Sequence, residues 1–228
     1  MKKIKQFLKE HSEILSILSW LYRLINFNKK RVKGSDNLVK WKNSFMKHNS
    51  IEVWGGRSNV VEIGALSKLN NCRIYIRGNN NHIKIGRECV MNHLDIWVED
   101  DGNSVEIGCN TWITGETHIA VTEGTAVKIG ERCLFSDEIA IRTGDSHSIL
   151  NEQGVRINKA KGVEVGNHVW IGNRAMLLKG TEIGDDSVVG AGAIVTEKFG
   201  TGVIVAGVPG KVIKEKINWD SERHKERV

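Results

Sequence analysis

A single proline stands in 228 residues, beside 24 glycines. So little proline argues against stiff linkers, and so much glycine points to many tight corners within one folded body. Cysteine is scarce as well: Cys72, Cys89, Cys109 and Cys133 form no C-x-x-C pair. That removes the usual zinc and dithiol spacings and shows no secreted disulfide framework, so a reducing cytoplasm is expected. Long apolar runs are missing too. The stretch from Ile14 to Ile25 is twelve residues long and contains Arg23, against ~20 residues for a bilayer crossing. No small-residue cleavage site accompanies it, so it is not read as a secretory signal. Basic charge is absent from most of the chain. The net charge is +6, but residues 1 to 33 hold nine Lys/Arg and two Glu, which leaves the other 195 residues at −1. The body therefore offers no basic groove to a phosphate backbone, and nucleic acid is not an expected partner.

What the chain does contain is repetition. Ile63-Gly64, Ile85-Gly86, Ile107-Gly108 and Ile129-Gly130 recur every 22 residues, the mark of a solenoid. Each unit closes on a polar corner: RGNNNH, EDDGNS, TEGTA, TGDSHS. From residue 163 the spacing tightens to six, with Val165, Ile171, Leu177, Ile183, Val189 and Val195 in a large apolar slot and Val169, Ala175, Thr181, Ser187 and Ala193 in a smaller one. A period of six places successive apolar residues ~240° apart around an α-helix, so it cannot form one apolar stripe there. On stacked flat strands the same residues all point inward. Cys89 and Cys133 fall in the small slot and read as packing residues.

One corner departs from the pattern. The position eighteen residues after the repeat isoleucine is Asn81, Asn103, Thr125 and then His147, while Asp145 follows Asn79, Asp101 and Glu123. After His147 the repeat is delayed, with 36 residues from Ile129 to Val165 in place of 22. Extra loop on one unit is where solenoids carry function. His147 reads either as a hydrogen-bonded corner residue or as a base, and Asp145 as a corner residue or as its partner.

The segment VEVGNHVWIGNRAMLLKGTEIGDDSVVGAGAIVTE with IVAGVPGKVIKE resembles the hexapeptide-repeat acyltransferases, and among them most closely the bacterial O-acetyltransferases of capsule, lipopolysaccharide and sialic-acid polymers. The likeness is strong over residues 127 to 215 and architectural over 51 to 126. It implies a left-handed parallel β-helix of hexapeptide repeats, an all-β solenoid with short N- and C-terminal helices. The expected division is a helical, basic cap at 1–50, a catalytic β-helix at 51–210 with a loop at 142–162, and a charged helix or tail at 211–228. Residues 2 to 25 read as one amphipathic helix. It would cap the open end of the solenoid, and its lysines with Lys29, Lys30, Arg31 and Lys33 suit anionic lipid headgroups at the inner face of the membrane or another subunit.

The resemblance also implies chemistry. His147 would take the proton of an acceptor hydroxyl, a task suited to imidazole because it titrates near neutral pH, with Asp145 orienting it. Trp170 of H-V-W-I-G would line the acceptor and thioester end of the site, unless it packs between coils. Asn173, Ala191, Thr196, Lys211 and Lys214 would hold acetyl-CoA, the lysines meeting its phosphates as point charges. Glu197 stands where relatives often carry lysine. A homotrimer with sites between neighbouring prisms is expected, and no metal. The rivals are an N-acetyltransferase of a nucleotide-linked amino sugar, a non-catalytic trimeric scaffold, and a γ-type carbonic anhydrase, whose three zinc histidines find no matching close spacing here.

Overall fold

The protein is described by a computed structural model covering residues 2–222 and 224. Successive short strands visit three flat faces in rotation. Eight parallel strands from Lys29–Ser35 to Ile194–Val195 build the first face, and eight from Leu38–Lys40 to Lys198–Phe199 the second. The third has eight parallel strands from Phe45–Lys47 to Ile204–Ala206, and one more pairs antiparallel at its end. This is a parallel β-solenoid of about eight turns, the left-handed β-helix that the family resemblance implies. The repeat isoleucines stack as read: Ile63, Ile85, Ile107, Ile129, Val165 and Ile183 lie in one register. They point inward with Phe135, Ile119, Ile141 and Leu177, none above 5% exposed. Burying such a side chain contributes about 1.5–3 kcal/mol, and each coil repeats the arrangement.

Polar corners stack just as regularly. Asn59, Asn81 and Asn103 are buried, and each backbone N–H donates to the side-chain oxygen of the asparagine one coil earlier: Asn59 to Asn37 at 2.8 Å, Asn81 to Asn59 at 3.0 Å, Asn103 to Asn81 at 2.8 Å. Buried polar groups persist only when so satisfied. The corner before the third face is made of glycine instead. A Cβ on Gly108 would lie 2.5 Å from the carbonyl carbon of Gly130, and one on Gly86 2.7 Å from the nitrogen of Cys109. Glycine lets consecutive coils touch there. Cys89 and Cys133 are buried as expected, and burial pushes their thiols up to about 11, well away from reactivity at neutral pH.

Both ends differ from the sequence reading. The N-terminal helix is two helices, Lys2–Glu10 and Ser12–Ile25, broken at His11 with φ −117° and ψ 72°. Coiling starts at Lys29 rather than at 51. The first strand, KKRVKGS, is exposed along its whole length because nothing stacks beyond it, so it carries no alternation to read. The second helix packs beside Phe45–Lys47, where Arg23 donates to the carbonyls of Trp41 and Ser44 at 3.2 and 2.7 Å. It does not seal the end: Val32, the neighbour of buried Val53, remains 37% exposed. At the other terminus, the expected charged helix or tail begins as a strand, Lys211–Lys214, paired antiparallel with Ile204–Ala206, and residues 215–222 form no helix. The open edge of the last coil offers unpaired backbone groups, and pairing them outweighs the helix-forming lysines. No helix among the described residues is long and apolar enough to cross a membrane.

Candidate active site

The loop between the first and second faces runs from Thr143 to Gly162, between the strands Ile139–Arg142 and Val163–Val165. It rises as a small hairpin, closed by a bridge between Leu150 and Arg156 and by the Ile157 N–H donating to the Ile149 carbonyl at 2.9 Å. The side-chain oxygen of Asn151 caps the tip, accepting from the N–H groups of Gln153 and Val155 at 3.1 and 2.8 Å. Arg156 fastens the hairpin to the preceding coil through Glu123 at 2.5 Å. Ile149, Leu150, Val155 and Ile157 stay more than half exposed on this arm.

His147 lies at the foot of the arm, exposed, and its ring makes no hydrogen bond among the described residues. It is not the corner residue that counting suggested. Val163 pairs with Val127, which places Lys161, two residues earlier, in register with Thr125. His147 belongs to the inserted loop and stands outside the stacked corners. Its position is set by Asn158, which is 7% exposed and donates through Nδ2 to the His147 carbonyl at 2.7 Å and to Asp145 Oδ2 at 2.8 Å. Asp145 is held by Lys179 and Asn158, which together keep its carboxyl below the usual carboxylate range. Its hydrogen bonds do not include the His147 ring, so it acts on the loop rather than on the imidazole directly. Sequence reasoning did not find Asn158 or Lys179, whose residue types carry no signal without the fold.

Around His147 opens a groove of about 490 Å³ on the outer surface of the first face, lined by Trp97, His118, Ala120, Arg142, Gly144 and Ser146 among others. Beside it, Asp95 accepts both arms of Arg73 at 2.7 Å and contacts His118 Nδ1 at 3.0 Å. Burial works to raise the Asp95 carboxyl, but the hydrogen bonds from His118 and Arg73 hold it down at about 2.

Trp170 is elsewhere. It lies on the third face, 40% exposed, with Nε1 donating to Ser136 Oγ at 3.3 Å. His147 sits on the edge between the first and second faces, the one edge of the prism that the third face does not share. One chain therefore does not bring them together. Trp170 belongs instead to an aromatic cluster missed in the sequence: Trp219 stacks on His168 at 4.4 Å, reaches Trp170 at 6.0 Å, and donates through Nε1 to the His168 carbonyl at 2.7 Å. The only hint was an isolated tryptophan in a charged tail. Asn173 and Ala191 follow strands of the third face on successive coils, where the Asn173 carbonyl accepts from the Gly192 N–H at 2.8 Å. Thr196 directly follows the last strand of the first face, Ile194–Val195. Lys211 pairs with Glu197 at 3.1 and 3.2 Å, and Lys214 is exposed on the terminal strand. Among the described residues, no three His, Cys, Asp or Glu side chains gather to hold a metal ion.

Residues 162–197 match the family described as bacterial transferase hexapeptide (six repeats). The chain is 36% identical over 109 residues to a galactoside O-acetyltransferase of Escherichia coli, covering 47% of this chain and 52% of that one. Two solved structures align over far more. The polySia specific acetyltransferase NeuO shares 29% identity at TM-score 0.79, covering 88% of this chain and 92% of its own. The polysialic acid O-acetyltransferase OatWY shares 28% at TM-score 0.80, covering 87% and 93%. The chain spans about half the length of the galactoside enzyme. Its last coils carry the hexapeptide-repeat pattern of bacterial transferases, and the coil as a whole resembles the two polysialic acid O-acetyltransferases.

Proposed function

We propose that this protein transfers the acetyl group of acetyl-CoA to a hydroxyl of a bacterial surface glycan, of the capsular, lipopolysaccharide or sialic-acid-containing kind, as the polymer or its precursor. The observation that carries the reading is the exposed imidazole of His147, without a hydrogen bond among the described residues, on an inserted loop above a groove, in a chain whose whole coil resembles polysialic acid O-acetyltransferases. His147 would accept the proton as the acceptor oxygen forms its bond to the thioester carbonyl carbon. The thioester carbon–sulfur bond then breaks, and the departing thiolate takes up a proton, which leaves an ester and free coenzyme A. Asp145, through Asn158 and Lys179, fixes where the loop presents the ring.

The placement of Trp170 supports a site shared between copies. A second chain whose third face approaches the His147 edge would supply the indole that one chain keeps on its far side, and the apolar arm at Ile149, Leu150, Val155 and Ile157 gives that approach a surface to bury. A closed trimer makes three equal sites. Asn173, Ala191 and Thr196 would follow the pantetheine arm, and Lys211 and Lys214 the phosphates. The helix Ser12–Ile25, with Ile17, Leu21 and Leu24 exposed beside Lys29, Lys30 and Arg31, is the surface for peripheral membrane contact.

Thiol release from acetyl-CoA across a panel of bacterial glycans tests the activity, and release is expected only when an acceptor is present. In the same assay, Lys211→Ala with Lys214→Ala should raise KM for acetyl-CoA several-fold with little change in kcat, as lost ground-state contacts do. No acceptor-dependent release from any glycan would remove the reading. The shared site has its own test. His147→Ala and Trp170→Ala should each be nearly inactive, whereas trimers assembled from an equal mixture should regain about a quarter of the wild-type sites, because each site draws the two residues from different chains. A mixture as inactive as its parents would place both residues in one chain's site.

A further inference from the structure

On the first face the outward side chains form a column in strict register: Tyr75 beside Trp97, Trp97 beside Ala120, Ala120 beside Arg142. Tyr75 and Trp97 stack with centroids 4.1 Å apart and planes at 16°, so the rings stand upright on the sheet like coins in a row. Tyr75 covers one face of the Trp97 indole, and the Arg73 guanidinium, held by Asp95, lies 5.2 Å from the indole centroid. Towards Arg142 the row passes Ala120, whose methyl group leaves the next place in it vacant. Beyond the gap comes Arg142, two strand spacings from Trp97, about 9.5 Å. Allowing for the thickness of the two walls, the slot admits one ring. Ala120, Trp97, Arg142 and His147 line the same groove.

The charge in the slot is specific. Arg73, Arg156 and Arg174 are each spent on a carboxylate, Asp95, Glu123 and Glu138. Arg142 has no such partner among the described residues. Three acids of the groove are engaged: Asp100 accepts from the Thr122 hydroxyl at 2.6 Å, Glu123 from Arg156 and Asp145 from Lys179, while Glu99 is exposed at the end of its strand, two residues beyond Trp97 and in register with Arg77. An indole face, a flat floor and a free planar guanidinium combine an apolar surface for the face of a ring with a two-pronged donor for a carboxylate.

We infer that Trp97, Ala120 and Arg142 form an acceptor subsite for a pyranose ring bearing a carboxylate, seated on the indole with its carboxylate on Arg142 and a neighbouring hydroxyl turned to His147. The inference rests on His147 being the base of the proposed reaction. It selects acidic sugars within the glycan class and assigns recognition to the same chain that carries the base, in contrast to Trp170.

Two variants and two readouts test it. The probes are a sialic acid oligomer and the same oligomer with its carboxylates reduced to alcohols. Binding is read by saturation-transfer NMR and transfer by steady-state kinetics. Ala120→Phe fills the slot from the outer face of the sheet, where the core is untouched. It should weaken binding of the acidic oligomer and raise its KM about tenfold or more, while KM for acetyl-CoA holds. Arg142→Gln should erase the preference for the acidic over the reduced oligomer, and Arg142→Lys should restore part of it. Wild-type oligomer binding in Ala120→Phe, an intact preference in Arg142→Gln, or no binding of either oligomer by the wild type would overturn the subsite. A wild type that binds the oligomer through Ala120 and Arg142 yet transfers no acetyl group to any glycan would keep the subsite and remove the proposed reaction.

Discussion

Replacing His147 with alanine is expected to lower kcat by about 100-fold or more, the usual loss when a general base is removed, while the melting temperature stays where it was. The second half of that expectation is as important as the first. The His147 ring donates and accepts nothing among the described residues and is exposed; only its backbone carbonyl is used, by Asn158 at 2.7 Å. The variant keeps that carbonyl, so the loop keeps its shape. Steady-state transfer kinetics beside a thermal melt decide the point. Wild-type turnover in a folded variant would mean that the proton leaves by another route, and a large drop in melting temperature would mean that the ring is structural after all.

The second large effect concerns a residue far from any chemistry. Gly108→Ala should destabilise the fold by about 4 kcal/mol or more, in the range reached only when something specific breaks. The added methyl would sit 2.5 Å from the carbonyl carbon of Gly130 and 2.6 Å from its oxygen, both backbone atoms that cannot swing aside. For a chain of this size each kcal/mol moves the melting temperature by roughly 2–4 °C, so a fall of about 8–16 °C is expected. Gly102→Ala is the control. Gly102 has φ +71° and nothing within 4 Å of its virtual Cβ, so alanine there meets only the left-handed backbone penalty of about 1–2 kcal/mol. If the two variants melt alike, contact between stacked corners is not what the isoleucine-glycine repeat preserves.

That contrast shows what could be read in advance. The apolar slots were legible because every coil buries the same positions against the coil before it, and repetition in space is repetition in sequence. The ends were not, because Lys29–Ser35 and Lys211–Lys214 each have a coil on one side only, and a strand without two neighbours need not alternate. Counting eighteen residues from Ile129 leads to His147, but the inserted loop breaks register there, and counting back from the Val127–Val163 pair gives Lys161 the position of Thr125. The count leads to the inserted loop through an alignment the structure does not keep. Trp170 was recognised from its motif, yet its separation from His147 depends on which faces meet at which edge, and spacing along the chain does not carry that. The Trp97, Ala120 and Arg142 slot was invisible for a related reason: its three members are 23 and 22 residues apart and only stacking makes them neighbours.

The strand order of the first face gives the molecule a property of a different kind. Five strand steps separate Lys29–Ser35 from Ile139–Arg142, which at ~4.8 Å per step is about 24 Å along the axis. Each coil touches only the one before and the one after, so a 22-residue unit could be added or removed between them while His147, its loop and the last coils kept their geometry. The coil is then a stem of adjustable length. The first helix reaches back along this stem, where Lys5 and Lys9 pair with Glu88, so the number of coils between Glu88 and Ile139–Arg142 sets how far that helix stands from His147 and its loop.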